Sequence, residues 1–248
     1  MDKLLYIAMS GAKENLNSLA VRSNNLANAN TLGFKADFEE ARAMQAYGDG
    51  LPSRVFSMAE RPGQSFQHGS LQTTGRELDV AIQGDGWLTV QDKDGKEAYT
   101  RNGSLQVSPL GVLQTSNGLN VLDTTGQPIT LPMPLEKIQI SEDGTINARL
   151  QGAEPAAIEN LQQLKLVNPT NKDMTKGEDG LFRRIDGTTE TAATNVRLAS
   201  GALENSNVNV VEELTNLIKL QRQFETQIKM MSTAEKNDDS QNQLLKLG

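Results

Sequence analysis

Residues 5–30, LYIAMSGAKENLNSLAVRSNNLANAN, place Leu5, Met9, Ala12, Leu16, Leu19, Ser23, Leu26 and Asn30 at alternating steps of four and three. Near the other end, Val210, Leu214, Leu217, Gln221, Phe224, Ile228 and Met231 repeat the same spacing. A repeat of about 3.5 residues draws a narrow seam along one face of a helix, the pattern of helices that pack side by side. The spacing therefore predicts two long amphipathic helices, residues 2–30 and 205–237. Two such ends dominate the chain, and the middle is carried between them.

The first helix begins at Asp2, a negative charge that complements a helix N-terminus. Gly11 weakens it by roughly 1 kcal/mol against Ala, but Ala8, Ser10, Gly11 and Ala12 are small enough to admit a second helix closely. Its end holds Asn24, Asn25, Asn28 and Asn30. Asn competes for backbone hydrogen bonds inside a helix and suits helix ends and lateral amide contacts. Gly33 supplies a left-handed stop. In the last helix, Asn207 or Asn209 is a candidate N-cap, with Glu212 and Glu213 in the first turns and a fraying point at Asn237-Asp238-Asp239.

Between the helices two regions differ in composition. Residues 36–77 hold Gly48, Gly50, Pro52, Pro62, Gly63, Gly69 and Gly75 and read as a Gly/Pro-rich connector, with a short helix or strand at Asp37–Tyr47. Residues 78–204 read as a β domain. Its expected strands are Leu78–Ile82, Trp87–Gln91, Ala98–Arg101, Ser104–Val107, Val112–Thr115, Asn120–Leu122, Lys137–Ile140, Thr145–Leu150, Leu161–Val167 and Gly180–Arg184. Hairpin turns are expected at Gly84-Asp85-Gly86, Asp94-Gly95, Asn102-Gly103, Asn117-Gly118, Asp143-Gly144 and Asp186-Gly187. Ala153–Ile158 reads as a loop or a helical turn. The expected class is α+β: terminal helices, 1–35 and 205–248, pairing as a coiled-coil-like domain, and a central antiparallel sandwich or barrel-like domain.

Composition limits the chemistry. The net charge of −7 is spread unevenly: residues 1–35 carry +2 and residues 205–248 carry −1, which leaves −8 on the middle. No basic patch is present to hold a phosphate backbone, so no nucleic-acid partner is expected. The absence of cysteine removes thiolate catalysis and cysteine metal sites. His68, the one histidine, lies in the connector and reads as solvated. No Gly-x-Ser-x-Gly elbow is present. Gly84-Asp85-Gly86 lacks the third Gly of a dinucleotide loop, and Asp92-Lys93-Asp94-Gly95 lacks the rest of a calcium loop. Glu39-Glu40 and Glu212-Glu213 are adjacent pairs that do not face each other on a helix. Trp87 reads as sheet core. No catalytic residue, cofactor or metal is expected. No stretch of 18 apolar residues is present to span a membrane, and the N-terminus is not a secretory signal. By ordinary signals the chain is cytoplasmic.

Four segments carry a resemblance. Ser23-Asn24-Asn25-Leu26-Ala27-Asn28-Ala29-Asn30-Thr31-Leu32-Gly33-Phe34-Lys35 resembles the signature of bacterial flagellar rod and hook proteins. Leu78–Trp87 resembles the first β segment of that family, with Trp where Phe is more usual, and Tyr99–Leu105 through Gly118 resembles the hairpins that follow. Gly201–Val208, followed by Gln221–Glu225, resembles the C-terminal signature. The start, the length and the short connector are most similar to the proximal rod members; distal rod or hook-type subunits are the alternative within the family. The resemblance implies a structural subunit of the basal-body rod, exported through the flagellar apparatus without a cleaved signal and located in the periplasm. That location replaces the one read from composition. It further implies terminal helices that pack against other copies and other rod proteins, with the β domain outward. The expected assembly interface is Leu5, Met9, Leu16, Leu19, Asn24, Asn25, Leu26, Asn28, Asn30, Val210, Leu214, Leu217, Gln221, Phe224, Ile228 and Met231. Outside the family, the alternatives are a monomer whose two helices pair only with each other, and a periplasmic module whose β domain holds a ligand.

Overall fold

The computed structural model describes residues 2–39, 41–45, 55–59, 63–152 and 159–246. Ala153–Ile158 and Tyr47–Pro52 of the connector lie outside them. The chain divides into two compact units. One holds residues 1–29, 36–65 and 208–248, and the other holds residues 30–35 and 66–207.

The first unit is built on two helices, α1 (Asp2–Ala27) and α2 (Val210–Lys246). Helix α1 stops three residues short of Asn30, where the amide-rich run turns. Asn28 N–H donates back to Asn24 O at 3.1 Å, and Asn28 Nδ2 donates to the same carbonyl at 3.0 Å. Asn209 caps α2: its side-chain oxygen accepts from Val211 N–H at 3.1 Å and Glu212 N–H at 3.3 Å. The expected fraying at residues 237–239 is not found. The helix continues to Lys246, because Asn and Asp weaken a helix interior by only a fraction of a kcal/mol each. Between the helices, Asp37–Phe38 pairs antiparallel with Gly63–Gln64, and Ala41–Gln45 pairs antiparallel with Val55–Ala59. Residues 36–65 thus contain two strand pairs.

The second unit is mostly β. A five-stranded antiparallel sheet has the order Leu166–Val167, Trp87–Gln91, Glu97–Thr100, Phe182–Arg184, Met174–Lys176. Leu135–Ile140, Thr145–Leu150 and Glu159–Gln163 form a three-stranded sheet. Three further pairs join Val80–Gln83 with Arg197–Ser200, Leu105–Val107 with Leu113–Thr115, and Leu71–Thr73 with Ala202–Glu204. No sheet closes into a barrel among the described residues. Apolar residues of these strands and their connections, among them Leu88, Val90, Leu105, Leu113, Ile129, Ile140, Ile146 and Leu198, share one apolar core. Trp87 joins a separate aromatic cluster, 4.5 Å from the Phe182 ring, with Tyr99 and Phe66 alongside.

Three turn expectations need correction. Asp186-Gly187 follows Phe182–Arg184, but the next strand, Arg197–Ser200, pairs with Val80–Gln83, so that turn closes no hairpin. Gly84-Asp85-Gly86 does not make a hairpin. The strand before it pairs with residues 197–200 and the strand after it with residues 97–100, so the glycines redirect the chain from one sheet to another. Asn102-Gly103 likewise passes between sheets. Asp94-Gly95 and Asp143-Gly144 do close hairpins.

A buried ion cluster anchors residues 30–35 within this unit. Glu204 Oε1 accepts from Lys35 Nζ at 2.8 Å and from Gly69 N–H at 2.9 Å, and Oε2 accepts from Arg101 Nη1 at 2.7 Å. All three charged side chains are at most 3% exposed. Gly33, at φ +66°, donates its N–H to Glu204 O at 2.8 Å. A Cβ there would fall 2.3 Å from the Arg101 carbonyl carbon, so only Gly fits. Arg101 also donates to Gly84 O and Gly86 O. His68, read as solvated, is half-exposed, with Nδ1 3.0 Å from Arg101 Nη1 and Nε2 3.3 Å from Asp85.

Burial alone would raise the Glu204 carboxyl, but the Arg101 charge and the Lys35 and Arg101 hydrogen bonds outweigh it and hold the group below its usual value of 4.5. A carboxylate held down on folding contributes stability above its unfolded pKa and loses that contribution as pH falls through the folded value. Glu204→Ala leaves two buried cations unpaired and is expected to cost about 3–5 kcal/mol at neutral pH. The deficit should shrink below pH 4.5, where the wild-type carboxylate itself protonates; urea denaturation at both pH values measures it.

Candidate assembly interface

The helix pair is antiparallel. Arg22 Nη1 near the end of α1 donates to Glu213 Oε1 at 3.1 Å near the start of α2, while a Cβ on Gly11 would meet the Gln227 side chain at 3.1 Å. The small residues of α1 thus admit α2: Ala8 and Ala12 are buried, and Gly11 faces Gln227. Asn25 is fully buried and locks the end of the pair. Its Nδ2 donates to Asp37 O at 2.7 Å and Glu213 Oε1 at 3.1 Å, and its Oδ1 accepts from Asp37 N–H at 2.9 Å. Neither Arg22 nor Glu213 belongs to the apolar repeat, so the repeat could not nominate them. Glu213 does precede Leu217 by four, which places it in register with Leu217, Leu220, Phe224, Gln227 and Met231 on the covered face of α2.

The expected seams are split. In α1, Ala12, Leu19 and Leu26 are buried or half-buried, whereas Leu5, Met9, Leu16 and Ser23 are exposed, Met9 by 58% and Leu16 by 50%. In α2, Leu217, Phe224 and Met231 are half-buried, whereas Val210, Leu214, Gln221 and Ile228 are exposed. Apart from Leu5 and Val210, the exposed first members of the inward rows, each helix therefore turns one heptad position toward its partner and the other outward. Val211 and Ile218 add to the exposed apolar surface of α2. The amides also divide. Asn25 points inward, Asn28 is half-buried against Asn24 O, and Asn24 and Asn30 are exposed.

The two sides of the pair differ in chemistry. A groove along one side is lined by Gly11, Glu14, Asn15 and Ser18 of α1 and by Leu220, Arg222, Gln223, Thr226 and Gln227 of α2. At about 100° per residue, Met9 and Leu16 lie roughly 140–160° round α1 from Glu14, and Leu214, Gln221 and Ile228 lie roughly 140–180° round α2 from Gln223. Met9 and Leu16 of α1 and Leu214 and Ile228 of α2 thus lie in an outward stripe on the side opposite the polar groove, while Met230, also exposed, lies on the groove side. No group of three His, Cys, Asp or Glu residues suited to a metal occurs among the described residues, and none of their helices is long and apolar enough to cross a membrane.

Three family models match the chain: "Flagella basal body rod protein" over residues 5–35, "Flagellar hook protein FlgE/F/G D1 domain" over 81–148, and "Flagellar basal body rod FlgEFG protein C-terminal" over 199–244. The flagellar basal-body rod protein FlgF of Escherichia coli is 42% identical over the full length of both chains, and that of Salmonella typhimurium is also 42% identical over the full length. The chain belongs to the FlgF-like flagellar basal-body rod family. It is a structural subunit of the bacterial flagellar basal body rod, in a family that is not enzymatic, and it assembles with other rod components. The FlgG rod protein of Buchnera aphidicola from Acyrthosiphon pisum is similar too, at 33% identity over 93% of this chain and 95% of its own. Two of the matched segments contain most of α1 and most of α2, and the third lies within the β region.

The two faces of the rod subunit's helices should respond differently to substitution. Leu16→Asp and Leu214→Asp, on the outward stripe, should change the stability of the isolated subunit by about 0.5 kcal/mol or less. Asn25→Ala should cost about 1–3 kcal/mol, because it removes the side-chain partner of the Asp37 N–H and C=O and one of the partners of buried Glu213. Urea denaturation of the purified subunit separates the two.

Proposed function

We propose that this rod subunit polymerises through its terminal helices, with the outward apolar stripe as the self- and neighbour-binding face. It builds the proximal part of the rod, at once drive shaft and export channel, in the periplasm, which it reaches through the flagellar export apparatus without a cleaved signal. Residues 1–35 and 205–248 act as the assembly domain, and residues 78–204 face outward.

The carrying observation is the split seam. A monomer whose two helices satisfied each other would bury both heptad positions. Here Leu5, Met9, Leu16, Val210, Leu214 and Ile228 stay exposed along one side of the pair. Fully covering a side chain of this size is worth about 1.5–3 kcal/mol, so helices of adjacent subunits gain by packing there in coiled-coil-like fashion. Leu19, Asn25, Asn28, Leu26, Leu217, Phe224 and Met231 act indirectly, by holding the pair that presents the stripe, while Asn24, Asn30 and Gln221 place polar groups beside it. A surface that meets a different surface on the next copy generates an open helical polymer.

Leu16→Asp or Leu214→Asp should abolish motility and incorporation into isolated basal bodies while the purified variant stays folded, and His68→Ala should leave both intact. Deleting residues 1–30 should block assembly, with secretion of the subunit scored separately. Normal motility with Leu16→Asp and Leu214→Asp combined would sink the proposal.

A further inference from the structure

The outward apolar surface is concentrated at its two ends. At the start of α1, Leu5, Tyr6 and Met9 are exposed, Tyr6 by 56%. At the start of α2, Val211, Leu214 and Ile218 are exposed, Val211 by 73%. At about 100° per residue, both sets lie on the flank of their helix turned away from the partner helix. The exposed stretch between them carries Lys13 of α1 and Gln221, Arg222 and Glu225 of α2. The pair is antiparallel, with Gly11 beside Gln227 and Arg22 beside Glu213, so the two patches sit at opposite ends of it, roughly sixteen residues or about 25 Å apart. The same register brings Ile228 level with the first patch and Leu16 level with the inner edge of the second. Neither patch can cover the other within one copy.

We propose that the start of α1 in one copy packs against the start of α2 in a second copy, head to tail, and that this is the repeating contact of the polymer. It rests on polymerisation through the helical unit and names the two surfaces that meet. A two-fold contact joins like to like and closes at two copies, whereas a contact between two different patches leaves one of each kind free at the ends and stays open. A rod subunit needs the open form. Helix pairs set side by side bring the outer flank of α1 in one copy against the outer flank of α2 in the next. The two helices run antiparallel there, as within the subunit, so Met9 approaches Val211 as Tyr6 approaches Leu214. The offset of about 25 Å between the patches becomes the stagger between neighbours. Covering the apolar side chains supplies the attraction. The polar stretch supplies the register: a smaller stagger sets Lys13, Arg222 or Glu225 against apolar side chains, where each loses water without gaining a partner.

Exposed substitutions in the full-length subunit test this. Met9→Asp and Ile218→Asp should each leave the urea midpoint of the isolated subunit unmoved and lower incorporation into basal bodies at least tenfold. The chain has no cysteine, so introduced thiols report the contact directly. When M9C and V211C subunits are co-expressed and isolated basal bodies are oxidised with diamide, the mixed disulfide dimer should exceed the dimer from either variant alone at least tenfold. A dimer from M9C alone or V211C alone as abundant as the mixed one means like-to-like packing and overturns the proposal. So does the absence of a mixed dimer from both the M9C–V211C and the Y6C–L214C pairs, the outcome expected if a different rod component covers the patches. If no mixed dimer forms but the combined Leu16→Asp and Leu214→Asp variant is still excluded from basal bodies, only the head-to-tail pairing falls; if that variant incorporates normally, polymerisation through the helices falls with it.

Discussion

One buried carboxylate sets the frame of the β unit. Glu204 gathers Lys35, Arg101 and Gly69 N–H at 2.7–2.9 Å, out of water. With Glu204 itself, the cluster draws on four separate parts of the chain, and two of them flank the helices: residues 30–35 follow α1, and residues 204–207 precede α2. Asn207 N–H donates to Phe34 O at 3.3 Å and Asn207 Nδ2 to Gln67 O at 3.0 Å, which extends the same tie. A buried ion cluster adds little net stability over a well-packed apolar core. What it supplies is discrimination, because any other register leaves a charge unpaired in a dry interior. The chain leaving one helix is thereby joined to the chain entering the other.

The helical unit divides its apolar repeat between two tasks. Small residues at Ala8, Gly11 and Ala12 bring α1 against α2, and Asn25, Arg22 and Glu213 close the end with polar contacts. The larger members of the repeat, Met9, Leu16, Leu214 and Ile228, are left outside. A protein made to stay monomeric would invert this arrangement, since scattered exposed apolar residues are normal but an aligned stripe on two neighbouring helices is an association surface. The rod family to which the chain belongs assembles with other rod components, and covering such a stripe there is what we propose.

Much of the β unit was legible locally. Ten expected strands fall on or beside observed strands or bridges because each follows a two-residue alternation bounded by turn residues. Asp94-Gly95 and Asp143-Gly144 closed the hairpins that their positive φ angles favour. The strands at Leu71–Thr73, Arg197–Ser200 and Ala202–Glu204 were missed. They are short, and their partners lie about 115–130 residues away, so nothing in the local pattern marks them. The turns at Gly84–Gly86 and Asn102–Gly103 were misassigned for the same reason: turn chemistry shows that the chain bends, not which sheet it joins next.

By itself the sequence determined the two terminal helices, the α+β class, the absence of thiol chemistry and, through four ordered motifs, the family. Those properties depend on residue type and spacing along the chain. Which face of each helix is spent inside the subunit was decided only in three dimensions. A repeat of 3.5 residues identifies two heptad positions without ranking them, and it took the close approach at Ala8–Ala12 and the Asn25–Glu213 lock to turn one inward and leave the other exposed. The Glu204 cluster is likewise a tertiary fact, since Lys35, Arg101 and Glu204 become partners only when segments far apart in the chain exclude water together.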